Sequence, residues 1–321
     1  MPAAGDAPKV SVIIPTYNRA GMVQQAIASV LAQTYTDFEC IVVDDGSPDD
    51  TQASLQSLVA AGRIRYVRQA NAGLSAARNH GIRVARGAYI TFLDDDDLYE
   101  PEKLAQQAAY LDAYPAAMLV HCWFTKFSEQ EANLGLRKPD WFQGQLYPAI
   151  LSYWRMLMAT PCLMLRREVF DAVGGFDETL RYAEDLDMWR RVARHYSFHI
   201  VPASLVRIRQ QVTSMSSDKA QSAAHFRTML EKAFADDPAL PAATRRQALA
   251  AMYTSVAQNL LGEGGAAEIR IARQHLRTAI GLRPLAPAAW LTFAASLLPR
   301  GVRSSLAGAV RRLRFRRTAN D

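Results

Sequence analysis

The sequence predicts an α/β fold, a mostly parallel sheet flanked by helices, followed by a helical C-terminal extension. Three observations carry that reading. Short apolar runs (VSVII, FECIVV, YITFL) alternate with stretches of helical period between Val10 and Tyr99, the pattern of parallel strands joined by crossover helices. The runs are mostly apolar rather than alternating, as strands covered on both faces are. From about Ser222 strand patterns stop, and alanine-rich helical segments follow, broken at Pro238, Pro241, Gly262 to Gly265 and Pro284.

Each element has its own signal. Val10 to Ile14 is the first strand, ended by Pro15. Asn18 is an N-cap candidate for a helix to about Gln33, in which Val23, Ala26, Ile27, Val30 and Leu31 share one face. Phe38 to Val43 is the second strand, closed by the turn DDGSPDD. A helix over Thr51 to Ala60 leads to a third strand at Ile64 to Val67. Ser75 or the Gly73 turn starts the next helix, and Gly87 ends it. Tyr89 to Leu93 is the fourth strand and runs into Asp94, Asp95, Asp96 and Asp97.

Pro101 opens a further helix at its first position. Ala117 to Phe124 and Cys162 to Arg167 read as strands, and Thr125 to Tyr147 as a loop-rich excursion. A helix at REVFDAV stops at Gly174-Gly175, and another begins at Glu184 and Asp185. SFHIV and SLVRIR read as two more strands. A domain change falls near residue 220.

Composition narrows the function classes. The chain of 321 residues is 50% hydrophobic and 21% charged, with net charge +6, a globular balance. Seven arginines and no acid lie between Arg300 and Arg317, so much of the basic character belongs to the tail. Cys40, Cys122 and Cys162 are odd in number, far apart and set among apolar residues, which predicts buried free thiols in a reducing compartment. MPAAGDAPKV lacks a signal-peptide layout, and no apolar run reaches transmembrane length. The expected location is cytoplasmic, with peripheral attachment to the inner face of the cytoplasmic membrane as an option. Neither GxGxxG nor GxxxxGK occurs, which argues against a dinucleotide fold site and a P-loop.

The chemistry gathers at one sheet edge. Right-handed crossovers bring the C-terminal ends of parallel strands together, where open α/β sheets bind ligands. Four adjacent aspartates repel one another there, and Mg²⁺ or Mn²⁺ resolves the conflict by bridging carboxylates to phosphates. The competing reading is a solvated acidic loop that caps a helix. Asp44 and Asp45 suit a base edge or ribose hydroxyls, or close an Asx-turn. Tyr17 either stacks on a base or covers the sheet edge. Arg78 pairs with phosphate or with the aspartate run. Glu184 and Asp185 are either a helix-dipole charge pair or contain a general base, with Asp187 as the rival base.

VSVIIPTYNR, SVLAQTY, FECIVVDDGSPDDT, NAGLSAARNHGI, GAYITFLDDDD, VGGFDETL and AEDLDMWRRV resemble, in order and spacing, family 2 inverting glycosyltransferases of the GT-A fold. The resemblance runs from about residue 9 to 216. It implies a GT-A-like (Rossmann-like) catalytic domain over 1–220, with nucleotide-sugar binding in about 9–110 and acceptor binding and the base in about 111–220. Residues 221–321 form the α-helical region with the basic tail. The resemblance implies a nucleotide-diphosphate-sugar donor, Mn²⁺ or Mg²⁺, and single displacement with inversion. Pro15, Tyr17 and Asp45 then contact the nucleobase region, Arg78 lies near the donor, and Asp95 and Glu184 line the substrate. Asp94 and Asp96 match the DxD metal ligands, and Asp185 matches the base. One departure is Arg209, which stands where many members carry a metal-proximal histidine; a protonated arginine binds diphosphate rather than metal.

The expected activity is sugar transfer to a hydroxyl of a glycan or glycolipid in bacterial cell-surface polysaccharide synthesis. A sugar-1-phosphate nucleotidyltransferase is the enzymatic alternative, although VSVIIPTYNRAG is not a glycine-rich nucleotide loop. A non-catalytic nucleotide-sugar-binding module is the other. The tail suits an anionic membrane surface, a helix packed on the protein, or nucleic acid, which is not an expected partner.

Overall fold

In a computed structural model the chain is described over residues 7–152, 159–210, 222–263 and 265–298. The described residues form two compact units, one of 7–146 with 159–210 and one of 147–152 with 222–298.

The first unit is built on one sheet. β1 (Val10–Thr16), β2 (Phe38–Asp44), β3 (Arg65–Arg68) and β4 (Tyr89–Phe92) run parallel in the order β3-β2-β1-β4. Every residue of β1, β2 and β4 is buried, as mostly apolar strands covered on both faces are, and the buried Glu39 of β2 is paired with Ser11 and Arg65. α1 (Ala20–Leu31), α2 (Thr51–Ala60) and α3 (Leu74–Val84) make the connections. Val23, Ala26, Ile27 and Val30 of α1 are buried, as their spacing predicts.

Three local expectations change. Pro15 does not end its strand; it lies inside β1 opposite Val43. A proline needs no donor partner and is tolerated near a strand end. Asn18 is not the cap of α1. It is left-handed, at φ 56°, and its N–H donates to Ser47 Oγ at 3.0 Å, while Arg19 holds the cap position. Gly87 does not terminate α3, which has already ended at Val84. A Cβ at Gly87 would lie 2.6 Å from the Ser11 nitrogen, so the glycine is required by its approach to β1.

Beyond β4 the sheet becomes mixed. β5 (Leu98–Tyr99), β6 (Leu119–Phe127), β7 (Gly135–Arg137), β8 (Met164–Arg166) and β9 (His199–Arg209) extend it as β4-β8-β6-β9-β5, with β7 on β6. β8 is antiparallel to β4 and β6, and β9 is parallel to β6. The two predicted strands SFHIV and SLVRIR are one strand, β9. Its pairing with β6 jumps from Val201 to Ser204, a bulge that accommodates Pro202 within a continuous ladder. α4 (Lys103–Ala113) begins two residues after Pro101 rather than on it. Part of the expected 125–147 loop is ordered: β6 runs on to Phe127 and pairs with β7.

α5 (Glu168–Val173) stops at Gly174, which is left-handed at φ 76°. α6 (Glu184–His195) follows. Phe92 meets Phe170 and Phe176 edge-on at 6.1 and 5.4 Å, and Phe176 meets Trp189 at 6.1 Å. This chain of rings carries α6 to the end of β4 that bears the aspartates. Cys40, Cys122 and Cys162 are free and buried.

Under β4 lies a wholly buried lysine. Lys103 Nζ donates to the Thr91 hydroxyl and, at 3.4 Å, to the Leu163 carbonyl, and it sits 4.1 Å from the Tyr99 ring centre. Burial lowers its ammonium from 10.5 to about 7. Between about pH 7 and 10.5 the unfolded chain therefore binds more protons than the folded one, and stability rises with pH across that window. Lys103→Met is expected to remove this rise, read as a flatter pH dependence of the urea midpoint. Parallel profiles for variant and parent would mean that Lys103 keeps its charge.

The second unit is helical: α7 (Ser222–Asp236), α8 (Ala242–Glu263), α9 (Ala266–Leu282) and α10 (Pro287–Ser296). α8 is central and packs on the other three. Tyr147 Oη donates to Asp237 at 2.6 Å and ties 147–152 to this unit. Among the described residues no helix is long and apolar enough to cross a membrane.

Candidate active site

The C-terminal ends of β1, β2 and β4 hold most of the candidate residues. Tyr17 follows β1 and is exposed, whereas Pro15 is buried in the strand. Asp44 ends β2 and Asp45 follows it, and both are buried. Asp44 closes the expected Asx-turn, accepting from Ser47 N–H at 2.7 Å, and also takes the Tyr66 hydroxyl. Asp45 accepts from Ala72 N–H at 2.9 Å, Gly73 N–H at 2.8 Å and Gln69 Nε2 at 2.8 Å. Its carboxylate thus fixes the loop that starts α3, at Gly73 with φ 93°.

The four aspartates after β4 are each held by protein groups, and Asp95 and Asp96 share Arg19. Asp95 is buried and accepts from Thr16 Oγ1 at 2.8 Å and Arg19 Nη1 at 2.9 Å. Burial raises its carboxyl to about 6. The same Arg19 nitrogen reaches Asp96 Oδ2 at 2.9 Å. Burial, then the charge of Asp94, pushes Asp96 above the usual range. Asp97 is buried and accepts from Arg209 N–H at 2.8 Å.

Arg209 is a clamp for this run. Its Nε donates to Asp96 O, and its Nη atoms to Glu129 and Gln25, each at 2.8 Å, while the guanidinium lies over Phe127. The geometry therefore gives Arg209 a structural task at the aspartates, with its donors turned to protein groups.

Arg78 joins two distant acids. It is buried on α3, and Nη2 donates to Asp94 at 2.8 Å while Nη1 donates to Glu184 at 3.1 Å. Its guanidinium lies 5.1 Å from the Phe176 ring centre. Its Nε has no hydrogen-bond partner among the described residues. Next to it, Asn79 accepts from Phe176 N–H at 2.7 Å and donates to Phe176 O and Glu178, both at 2.8 Å. α3 thus holds the glycine-rich turn that feeds α6.

Glu184 and Asp185 open α6, behind Ala183 in the left-handed region. Burial and the neighbouring Asp185 charge raise Glu184 to about 7. Burial also raises Asp185, whose Oδ1 accepts from Leu186 N–H at 2.7 Å. A carboxylate raised in this way is a stronger base than a solvated one. Asp187, the rival, is buried, and Arg190 and Arg191 take its two oxygens at 2.7 and 2.8 Å.

Arg19 and Asn79 escaped the reading of the sequence. Arg19 abuts the strand-end segment PTYN, the one local signal available for it; Asn79 has no local signal, because its partners lie 97 to 99 positions away.

Asp94 and Asp96 are partly exposed hard oxygen donors one residue apart. Among the described residues no three His, Cys, Asp or Glu side chains form a metal cage. Two carboxylates completed by phosphate and water are nonetheless a donor set that Mg²⁺ accepts. The residues present therefore fit the ion.

Residues 11–174 match the family described as Glycosyl transferase family 2. An uncharacterised glycosyltransferase of Rickettsia typhi is 34% identical over 206 residues, which cover 63% of this chain and 64% of that one. Chondroitin synthase of Escherichia coli is 31% identical over 233 residues, 70% of this chain and 32% of that one. The chain thus spans less than two thirds of the length of these relatives. Among solved structures, S. aureus TarS 1-349 in complex with UDP-GlcNAc superposes with a TM-score of 0.66 at 18% identity, covering 94% of this chain and 92% of that one. A mannosyltransferase from Pyrobaculum calidifontis in complex with GDP-Man and Mn²⁺ gives 0.55 at 20%, covering 94% and 88%. The expected GT-A-like arrangement with a helical C-terminal region is the fold shared with these solved structures, and its sheet is mixed beyond β4 rather than mostly parallel.

Proposed function

The chain belongs to glycosyl transferase family 2, and we propose that it transfers a sugar from a nucleotide-diphosphate-sugar to a hydroxyl of a glycan or glycolipid, with inversion at the anomeric carbon. Residues 9–110 bind the donor, 111–220 supply the acceptor face and the base, and 221–321 are a helical accessory region. The observation that carries this reading is the Arg78 bridge. One buried cation joins Asp94, at the donor edge, to Glu184, at the head of α6, across 106 positions of sequence. Chemistry at one sugar carbon needs a base and a leaving-group site near each other but on different segments, and the bridge supports a site of that kind.

Asp185 takes the proton of the acceptor hydroxyl. The hydroxyl oxygen attacks the anomeric carbon, the bond to the diphosphate breaks, and the nucleoside diphosphate leaves with the electron pair. Arg78 fixes the head of α6 relative to Asp94, and Thr16 and Arg19 hold Asp95 and Asp96 in place. Tyr17 stacks at the nucleobase, and Asp45 shapes the base pocket through the 69–73 loop. Asp94 and Asp96 would hold Mn²⁺ or Mg²⁺, which when bound supplies Lewis-acid stabilisation of the leaving diphosphate. The nucleotide-sugars named with structural neighbours and the polysaccharide named with the chondroitin synthase support this donor and acceptor class. Cell-surface polysaccharide synthesis at the cytoplasmic face of the membrane is the setting, with the basic tail on anionic lipid.

A panel of nucleotide-sugars scored for Mn²⁺-dependent release of nucleoside diphosphate tests the reading. Release from one donor class is expected, and release from none overturns it. Asp96→Ala is expected to abolish metal-dependent donor binding in calorimetry. Its folding stability should stay within about 1 kcal/mol of the parent, because the lost Arg19 pair is offset by relief of repulsion. Unchanged donor affinity in the variant would remove Asp96 from the metal site.

A further inference from the structure

α10 carries its polarity inside out. Its buried positions are Ala289, Thr292 and Ser296, spaced along one face. The polar pair is bonded inward: Gln258 Nε2 donates to Thr292 Oγ1 at 3.0 Å, and Arg273 Nη2 donates to Ser296 O at 2.6 Å. The opposite face is Trp290, Leu291 and Ala294, continued past the helix end by Leu297 and Leu298, and every one of these residues is exposed. Trp290 is 51%, Leu291 60% and Leu297 60% accessible, and Leu285, just ahead of the helix, is 95% accessible. Single exposed apolar side chains need no explanation. An apolar face with no polar residue in it marks a contact surface.

Charge identifies the partner. Residues 269–321 contain eleven arginines and one acid, Asp321, whereas residues 1–268 hold more acids than lysines and arginines. Arg277, exposed, stands 5.9 Å from the ring centre of Phe293 at the flank of the apolar face, and Arg283 is exposed just before the helix. A second copy would bring a like charge of the same size against this one. A tryptophan and leucines flanked by Arg277 and Arg283 match a lipid interface, where the rings and alkyl groups enter the acyl boundary and guanidinium groups meet phosphate.

We propose that the exposed face of α10 is a membrane-docking surface that inserts into anionic bilayers alongside the basic tail. The inference rests on the tail's membrane role proposed above and adds an apolar anchor to it. An apolar anchor differs from an electrostatic one in its response to salt, since exposed charges are screened and buried apolar area is not.

The test is sedimentation of the full chain with phosphatidylglycerol/phosphatidylcholine vesicles at low and physiological salt. The variants are Trp290→Ser with Leu291→Ser, and, separately, a chain lacking residues 300–321. The double variant is expected to partition at least about tenfold more weakly at physiological salt, as loss of two buried apolar side chains requires. Its thermal unfolding and its turnover on a soluble acceptor should be those of the parent. The truncated chain is expected to lose the extra binding gained at low salt, while its remaining, salt-insensitive binding keeps its sensitivity to the double change.

Equal partitioning of double variant and parent overturns the anchor and leaves the tail's role standing. If the parent binds no vesicle, anchor and tail role both fall, while transfer to soluble acceptors remains the measure of the enzymatic reading. If the parent is a dimer by light scattering and the double variant a monomer, the face is a self-contact and the proposal is overturned.

Discussion

Asp185→Asn is expected to lower kcat by roughly 10²- to 10⁴-fold while leaving donor affinity at the parent value. The amide fills the same space at the head of α6, and its oxygen can still accept from Leu186 N–H, as the carboxylate does at 2.7 Å. What it cannot do is take a proton from the acceptor hydroxyl. Burial raises the Asp185 carboxyl, so the acid limb of kcat in the parent should lie above the range of a solvated aspartate. Below that limb the base is protonated and turnover falls; in the variant the limb should vanish. Steady-state rates at saturating donor and acceptor, with calorimetry for donor binding, make the measurement. Near-parent kcat would place the base elsewhere.

Asp187→Ala is expected to cost about 3–5 kcal/mol of stability, the usual loss when one partner of a buried ion pair is removed. Asp187 is 1% exposed, and both oxygens are taken by arginines of its own helix. Arg191 continues to the carbonyls of Val173 and Gly175 at 2.5 and 2.8 Å, so the carboxylate also anchors α6 to the turn after α5. A lower urea midpoint at unchanged slope is the expected reading, with kcat per folded molecule close to the parent. Parent-like stability with lost turnover would restore Asp187 as the base. The two substitutions lie two residues apart, and they should separate chemistry from folding.

The sequence by itself determined the parts of this protein that depend on near neighbours. Continuous apolar runs specified β1, β2 and β4, because a strand covered on both faces has no polar side to alternate with. The spacing in α1, the stop at Gly174 and the acids at the head of α6 were equally legible. So was the clustering of carboxylates at one edge, since parallel strands joined by helices leave their C-terminal ends together. Tertiary structure alone decided which charge meets which. Arg78 reaches Asp94 and Glu184, and Arg19 reaches Asp95 and Asp96, across 16 to 106 positions. It also made one strand of the segment around Pro202, where β6 supplies a partner for the bulge. It turned the hydroxyls of α10 inward as well, because Gln258 and Arg273 wait for them on α8 and α9. Period and turn chemistry are local properties of a chain. Partners for ions and buried hydroxyls are set by the folded arrangement, which brings remote segments within hydrogen-bond reach.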